Sequence, residues 1–437
     1  MRIIGKIKSF YHLALVWLGS IIYGSPSKKI YVIGVTGTKG KSTTAELINA
    51  ILEEAGKKTA IISSLRFKIA GESRKNESAN SMPGRFFIQK FLKQAVNAGC
   101  QYAIIEVTSQ GIIQHRHEFI HWDAVLYTNL QPEHIEAHGS FEKYREAKTR
   151  FFWYAAHKSK KPRRHLFIND EDTSKVYFVS AGNGSAEIHY FSREEFIKQK
   201  IESSKNSMGA WLLNSFNLEN AAAATAVSEI IGIPWATIKK AFQKFKGIPG
   251  RLETIQEKPF KVVIDYAHTP DSLEKVYQAL THGLKKSHPT SHIPHSALIC
   301  VLGAAGGGRD KWKRPVMGKI AAEYCREIIL TNEDPYDEIP EKIMEEIFSG
   351  ISQFSAGGGS SFGGQSSTFE SRASGRGKFK VQKVIDRREA IKKAISLAKK
   401  DDTVIITGKG SESWMHIAGG KKIPWNERQV VEKILAG

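Results

Sequence analysis

The sequence predicts an α/β protein of two successive domains, each a parallel sheet covered by helices. Three observations carry this expectation. At 437 residues the chain is too long for one ordinary domain. Short apolar or β-branched runs alternate with amphipathic stretches, the rhythm of βαβ units. That rhythm breaks at Gly247-Ile248-Pro249-Gly250 and then restarts.

The first 29 residues form an extension. Residues 10–24, FYHLALVWLGSIIYG, are mostly apolar, with Lys6 and Lys8 before them and Lys28 and Lys29 after. This core is shorter than the roughly 20 residues that span a bilayer, and no small-residue cleavage site marks a signal peptide. A helix packed on the following domain is expected. A helix lying in a membrane interface is the alternative reading of residues 10–24.

In the first domain, 30–249, strands are expected over 30–35, 58–63, 102–107 and 124–127, with helices over 42–56 and 86–98. In the second, 250–437, strands are expected over 261–265, 297–302, 327–330, 380–384 and 403–407. Residues 355–377, SAGGGSSFGGQSSTFESRASGRG, are rich in Gly and Ser, and too few large apolar groups are present to offset ordering entropy. They read as a mobile loop insertion.

Composition is that of an ordinary globular chain, 41% hydrophobic and 25% charged. A formal charge of +20 suits either nucleic acid or phosphate-bearing small anions. The basic run HKSKKPRRH at 157–165 lacks interleaved aromatics and reads as a solvated loop. Cys100, Cys300 and Cys325 lie far apart without ligand-like spacing, which points to reduced core thiols of a cytosolic protein.

Chemistry concentrates at strand ends, where ligands of parallel sheets bind. Residues 34–43, GVTGTKGKST, follow an apolar strand and open a helix. The longer phosphate-binding fingerprint fails because Val35 stands at its first glycine, yet Gly37-Thr38-Lys39-Gly40-Lys41-Ser42 is intact. Such a turn offers backbone N–H groups to phosphate, a lysine to the terminal phosphates and a hydroxyl to Mg²⁺. Glu106 closes another strand in EVTSQ, where a carboxylate beside the turn can bind metal. His134, His138 and Lys148 follow the strand at 124–127.

These segments occur in order with others: FNLENAAAA (216–224), GRLE (250–253), DYAHTPD (265–271), GGGRDKWKRPVM (306–317), DRREAI (386–391) and GKGSE (408–412). Together they resemble the Mur ligase family, closest to its muramyl-tripeptide synthetase branch, over about residues 30–437. The family's shorter fingerprint, G-T-x-G-K-[ST], accounts for Val35. The resemblance implies a P-loop-type ATPase domain followed by a Rossmann-like α/β domain. It also implies an ATP- and Mg²⁺-dependent ligase that joins a muramoyl-peptide acceptor to a free amino acid through an acyl phosphate.

The resemblance further implies roles for particular residues. Gly37, Thr38, Lys39, Gly40, Lys41, Ser42 and Thr43 would cradle ATP. Asn217 and Asn220 would lie on its adenine side, Asp265 at the ribose, and Arg251 and His268 at phosphate. Ser42, Glu106, His134 and a Lys148 made into a carboxylate by CO₂ would hold metal, because an ammonium has no lone pair to give. Ser81, Thr108, Ser109 and Arg116 would meet the acceptor. Arg309, Asp334, Tyr336, Gly408 and Glu412 would meet the amino acid. A cytoplasmic monomer without nucleic acid is expected.

Three departures from the family pattern stand out, the mildest being Ser81-Met82-Pro83 for the usual threonine pair before the proline and Glu133-His134 for the usual Asp-His. About thirty residues precede the first strand, too few for the family's domain that grips uridine diphosphate, so a lipid-linked acceptor is an alternative. Tyr336 stands where the diaminopimelate signature carries arginine, and it cannot make a bidentate charged contact with a carboxylate. Folylpolyglutamate-type and polyamino-acid ligases are rival readings within this architecture. An ATP-hydrolysing switch protein that contacts nucleic acid is the rival from another class.

Overall fold

The structure is a computed structural model that describes residues 2–78, 80–133, 135–202, 209, 211–212, 215–287, 297–356, 368–373 and 376–437. The chain divides into two compact units, Met1–Lys246 and Gly247–Gly437.

In the first unit the strands are β1 (Tyr31–Thr36), β2 (Thr59–Ile62), β3 (Arg66–Ile69), β4 (Glu72–Lys75), β5 (Tyr102–Glu106), β6 (Ala124–Tyr127), β7 (His165–Asn169) and β8 (Glu187–Phe191). They form one sheet in the order β4-β3-β2-β5-β1-β6-β7-β8, parallel from β2 to β8, with β3 and β4 added antiparallel at one edge. Alternate side chains of β1 feed opposite faces. Val32 joins Ile105, Val125 and the rings of Phe151 and Phe152 on one side. Ile33 and Val35 join Leu47, Ile51 and Ala221 on the other. Burying each such Ile, Leu or Phe contributes about 1.5–3 kcal/mol, so both faces hold the sheet rigid.

Register then places the chemistry. Val35 pairs with Glu106, and Thr36 with Tyr127, so β1, β5 and β6 end side by side. The helix Lys41–Glu54 begins directly beyond β1.

In the second unit the strands are β9 (Glu253–Gln256), β10 (Lys261–Asp265), β11 (Leu298–Leu302), β12 (Glu327–Leu330), β13 (Thr368–Ala373), β14 (Arg376–Lys383) and β15 (Thr403–Thr407), in the order β13-β14-β12-β11-β15-β10-β9. β9 and β13 run antiparallel at the two edges. The expected loop over 355–377 is corrected in part. Thr368–Ala373 is an edge strand paired with β14, because backbone hydrogen bonds to a neighbouring strand order a segment that lacks core side chains. Residues 357–367 and 374–375 of that expectation lie outside the described residues.

Two further expectations are overturned. Cys300 and Cys325 form a disulfide, with Cα atoms 6.1 Å apart, while Cys100 is free and buried. Parallel pairing of β11 with β12 brings together thiols that are 25 residues apart in sequence. Nor is the basic run at 157–165 wholly solvated. Lys161 is largely buried, ion-paired with Asp123 at 2.8 Å, and donates to the Ile30 carbonyl at 2.7 Å. Burial raises the Asp123 pKa, while Lys161 and the Val32 N–H pull it back.

The extension is a helix, Arg2–Ile22, that packs along the helix Arg85–Asn97. No described helix is long and apolar enough to cross a membrane.

Lys161→Met is expected to cost about 3 kcal/mol by leaving the Asp123 carboxylate buried without its cation. Adding Asp123→Asn should recover most of that loss. Chemical denaturation of the two variants reads both effects, and a single variant within about 0.5 kcal/mol of the parent would remove the pair from the account.

Candidate active site

Residues 37–40 turn the chain from β1 into the helix Lys41–Glu54. Gly37 and Gly40 have φ of 148° and 80°, a region that side chains strain to enter. Space is as restrictive as conformation. A Cβ on Gly37 would lie 1.9 Å from Thr128 Oγ1, and one on Gly40 2.2 Å from Asn220 Oδ1. The turn is tied to the segment after β6. Thr38 N donates to the Asn129 carbonyl at 2.8 Å, Lys39 N to Asn129 Oδ1 at 2.9 Å, and Thr128 Oγ1 to the Lys39 carbonyl at 2.6 Å. The turn thus presents the amino end of a 14-residue helix, where dipole and N–H groups favour an anion.

Two lysines converge here. Lys41 Nζ folds back to the carbonyls of Gly37 (3.1 Å) and Thr38 (2.9 Å). Lys148, on the helix Phe141–Lys158, is only 1% exposed and donates to the same Gly37 carbonyl at 2.7 Å. Burial, and then repulsion from Lys41, holds its pKa well below the usual lysine value. An anion between them would relieve that repulsion.

The carboxylate Glu106 is buried opposite. Its Oε2 accepts from Ser42 Oγ and Ser64 N, both at 2.8 Å, and its Oε1 from Ser81 Oγ at 3.1 Å. Glu133 pairs with Lys39 at 2.8 Å. Tyr144 OH lies 3.0 Å from Thr38 Oγ1. The structure therefore gathers Gly37, Thr38, Lys39, Gly40, Lys41, Ser42, Ser81, Glu106 and Lys148 around one turn, with Thr43 buried in the first turn of the helix. His134 lies outside the described residues.

Asn220 accepts from Thr44 Oγ1 at 3.1 Å and so abuts the turn. Asn217 donates to the Trp211 carbonyl at 2.8 Å, and both asparagines lie inside the helix Ser215–Ile230. Beyond β5, Thr108 caps the helix Ser109–Ile113 by accepting from Gly111 N at 3.1 Å, and Ser109 Oγ meets His138 Nε2 at 3.1 Å. Arg116 donates to the Met82 carbonyl, next to Ser81, and to Gln114 at 2.6 Å.

The second unit collects a separate group at its strand ends. Lys409, fully buried, donates to both Asp334 oxygens at 2.9 Å and to Glu412 at 2.5 Å. Burial opposes its charge, yet Glu412 and Asp334 outweigh burial and raise its pKa. Glu412 also accepts from Tyr266 OH at 2.9 Å, and Arg251 lies 4.1 Å over the Tyr266 ring. Arg309 donates to Tyr336 OH at 2.8 Å, and Tyr336 stacks on His416 at 5.0 Å. Asp265 accepts from Leu252 N and Ala267 N, each at 2.7 Å, and His268 Nδ1 lies 2.8 Å from the Tyr266 carbonyl. A Cβ on Gly408 would strike Glu333 Oε2 at 2.2 Å.

Sequence reasoning missed Ser64, Asn129, Tyr144 and Lys409 as neighbours of these groups. Lys409 sits inside the quoted segment GKGSE, where it could have been read.

A glycine turn at a helix start, two lysines and a buried carboxylate define a nucleotide-triphosphate enzyme. Residues 35–228 match the Mur ligase middle domain, and residues 250–410 match the Mur ligase, glutamate ligase domain. The UDP-N-acetylmuramoyl-L-alanyl-D-glutamate--2,6-diaminopimelate ligase of Aquifex aeolicus is 35% identical over 427 residues, covering 95% of this chain and 79% of that protein. Its counterpart from Gloeobacter violaceus is 33% identical, over 96% and 80%. A solved structure of a ligase of that name has a TM-score of 0.56 at 26% identity, covering 93% of this chain and 78% of that one. Folylpolyglutamate synthase of Mycobacterium tuberculosis shares the fold, with a TM-score of 0.64 at 14% identity over 91% and 92%. The chain belongs to the Mur ligase family. It is an ATP-dependent ligase that forms carbon–nitrogen bonds.

Glu333 is fully buried, its Oε2 has no hydrogen-bond partner among the described residues, and burial pushes its pKa up to about 7. Between the ordinary carboxylate value and 7 the folded state keeps a proton that the unfolded chain releases, so stability falls as pH rises through this window. Thermal melting of the parent should show this decline, by about 3 kcal/mol at most. Glu333→Gln should flatten it, and an unchanged slope would show that another group titrates.

Proposed function

We propose that this enzyme adds an amino acid to the carboxyl end of a muramoyl-peptide precursor of peptidoglycan. One observation carries the reading: Lys41 and Lys148 converge on the Gly37 carbonyl beside the buried, hydroxyl-bonded Glu106.

In this reading Gly37 to Thr43 hold the β- and γ-phosphates, with Lys41 as the mobile charge. Asn217 and Asn220 serve the adenine side, and Arg251, Asp265 and His268 are assigned to nucleotide contacts. The donor set of Ser42, Glu106 and a carbamylated Lys148 consists of hard oxygens, which suit Mg²⁺, with His134 as a further ligand. When bound, the metal neutralises phosphate charge. Lys148 is apt for carbamylation because its amine is buried and crowded by a second cation.

Ser81, Thr108, Ser109 and Arg116 orient the acceptor. An oxygen of its carboxylate attacks the γ-phosphorus, the bond to the bridging oxygen breaks, and ADP leaves. The amine of the amino acid then attacks the acyl carbon, loses a proton, and inorganic phosphate departs. Positioning and charge stabilisation supply the rate. The reaction is assigned to a monomer in the cytoplasm, where ATP is made.

Arg309 takes the α-carboxylate of the incoming amino acid, with Gly408 and Glu412 about its amine. Tyr336 is uncharged, so this position offers no cation to a second carboxylate, while Asp334 and Glu412 are acids held by Lys409. This balance favours a diamino acid with a terminal ammonium and no second carboxylate, such as lysine, over the diaminopimelate in the relatives' names.

Phosphate release should require both an acceptor and an amino acid, and a panel of amino acids against nucleotide-linked and lipid-linked muramoyl peptides reads this directly. Release that ignores both acceptors would sink the ligase reading.

Lys148→Ala should lower the rate by about 10²-fold, and a short carboxylic acid added in trans should restore part of it. No rescue, together with indifference to bicarbonate, would count against the carbamate. Tyr336→Arg should shift preference toward diaminopimelate. An unchanged ranking in the same assay would free this position from selectivity.

A further inference from the structure

The helix Arg2–Ile22 is amphipathic in the wrong sense for a surface helix. Its inward side, Val16, Gly19 and Ser20, is small and packs on the first unit. Its outward side carries Phe10 (72% exposed), Tyr11, Trp17 (52%), Leu18, Ile21 and Ile22 (59%). The spacing 10, 11, 17, 18, 21, 22 repeats at helical period, so these six side chains form one stripe along one face. No charged residue occurs between Ser9 and Ser27. Single exposed apolar residues are ordinary, but a continuous stripe marks an interaction surface.

The face is held in place from behind. Ser9 Oγ lies 2.7 Å from His115 Nε2, and His115 Nδ1 lies 2.7 Å from Glu118. Swinging the helix round to hide the stripe would break this contact and expose Val16.

We propose that this stripe seats the enzyme on the surface of an anionic bilayer. The residue types argue for lipid. Aromatic rings of Tyr and Trp settle at headgroup level while aliphatic neighbours reach the acyl boundary. Lys28 and Lys29, exposed in the short 3₁₀ helix Pro26–Lys29 that follows, would meet anionic headgroups. The net charge of +20 adds long-range attraction to the same surface. Because the helix cannot cross a bilayer, it lies in the interface, parallel to the membrane plane. Such seating would hold the enzyme where acceptors built on lipid carriers are found. It does not depend on the ligase reading.

Full-length protein is sedimented with vesicles of phosphatidylcholine alone and of phosphatidylcholine mixed with phosphatidylglycerol, without nucleotide or substrate. Binding to the anionic vesicles is expected, weakened by salt. Trp17→Glu with Ile21→Glu should reduce it at least about tenfold. Lys28→Ala with Lys29→Ala should lower the anionic preference by about tenfold or more. An unchanged melting midpoint and unchanged phosphate release confirm that each variant is folded. Failure of the parent to bind either vesicle overturns the proposal, as does binding that survives the double glutamate variant. A dimer by light scattering that the same glutamates dissociate would assign the face to a second copy and overturn it too.

Discussion

The Nζ atoms of two lysines, Lys41 and Lys148, meet on one carbonyl oxygen, that of Gly37. Burial, and then the charge of Lys41, holds the Lys148 pKa well below the usual lysine value. An anion at the helix start would relieve this crowding. The precision of the arrangement comes from the sheet: β1, β5 and β6 run parallel in register, so the glycine turn, Glu106 and Thr128 emerge at one level. Both faces of that sheet are packed, and the turn is bonded to Asn129, so the groups are held in place. Catalysis by positioning needs such preorganisation.

The second unit solves a different electrostatic problem. Lys409 is sealed among Asp334 and Glu412, and Arg387 is buried against Glu427, with a guanidinium–carboxylate distance of 2.5 Å. Pairs of this kind cost desolvation and contribute little net stability, but each holds its partner in one place. Glu333, with an oxygen left unpartnered among the described residues, is the exception, and a raised pKa is the consequence. Tyr336 sits at the rim in a left-handed conformation (φ 51°), clasped by Arg309 and His416. Backbone strain of this kind persists only where surrounding contacts hold it.

Local patterns were legible where the chain's own neighbours decide structure. The alternation of apolar runs announced the parallel strands, and the glycine-lysine-serine turn announced a phosphate site, because both depend on residues a few positions apart. The resemblance of ordered motifs supplied the family. The edge strands β4, β8 and β9, and β3 beside β4, went unread because they are short and carry no long apolar run; the buried strand β7 was missed as well. The strand at Thr368–Ala373 looked like a loop because its order comes from a neighbour's hydrogen bonds.

By itself, then, the sequence determined the α/β class, the two-part organisation it announces at 247–250, and the chemical nature of the turn at 37–42. Those follow from periodicity, backbone freedom and the charges of adjacent side chains. Only the tertiary structure decided that Lys148 shares a carbonyl with Lys41, that Lys161 is buried against Asp123, and that Cys300 meets Cys325. It also decided that the first helix turns its large apolar groups outward. Each of these depends on which distant segments the sheets bring together, and no short stretch of chain carries that information.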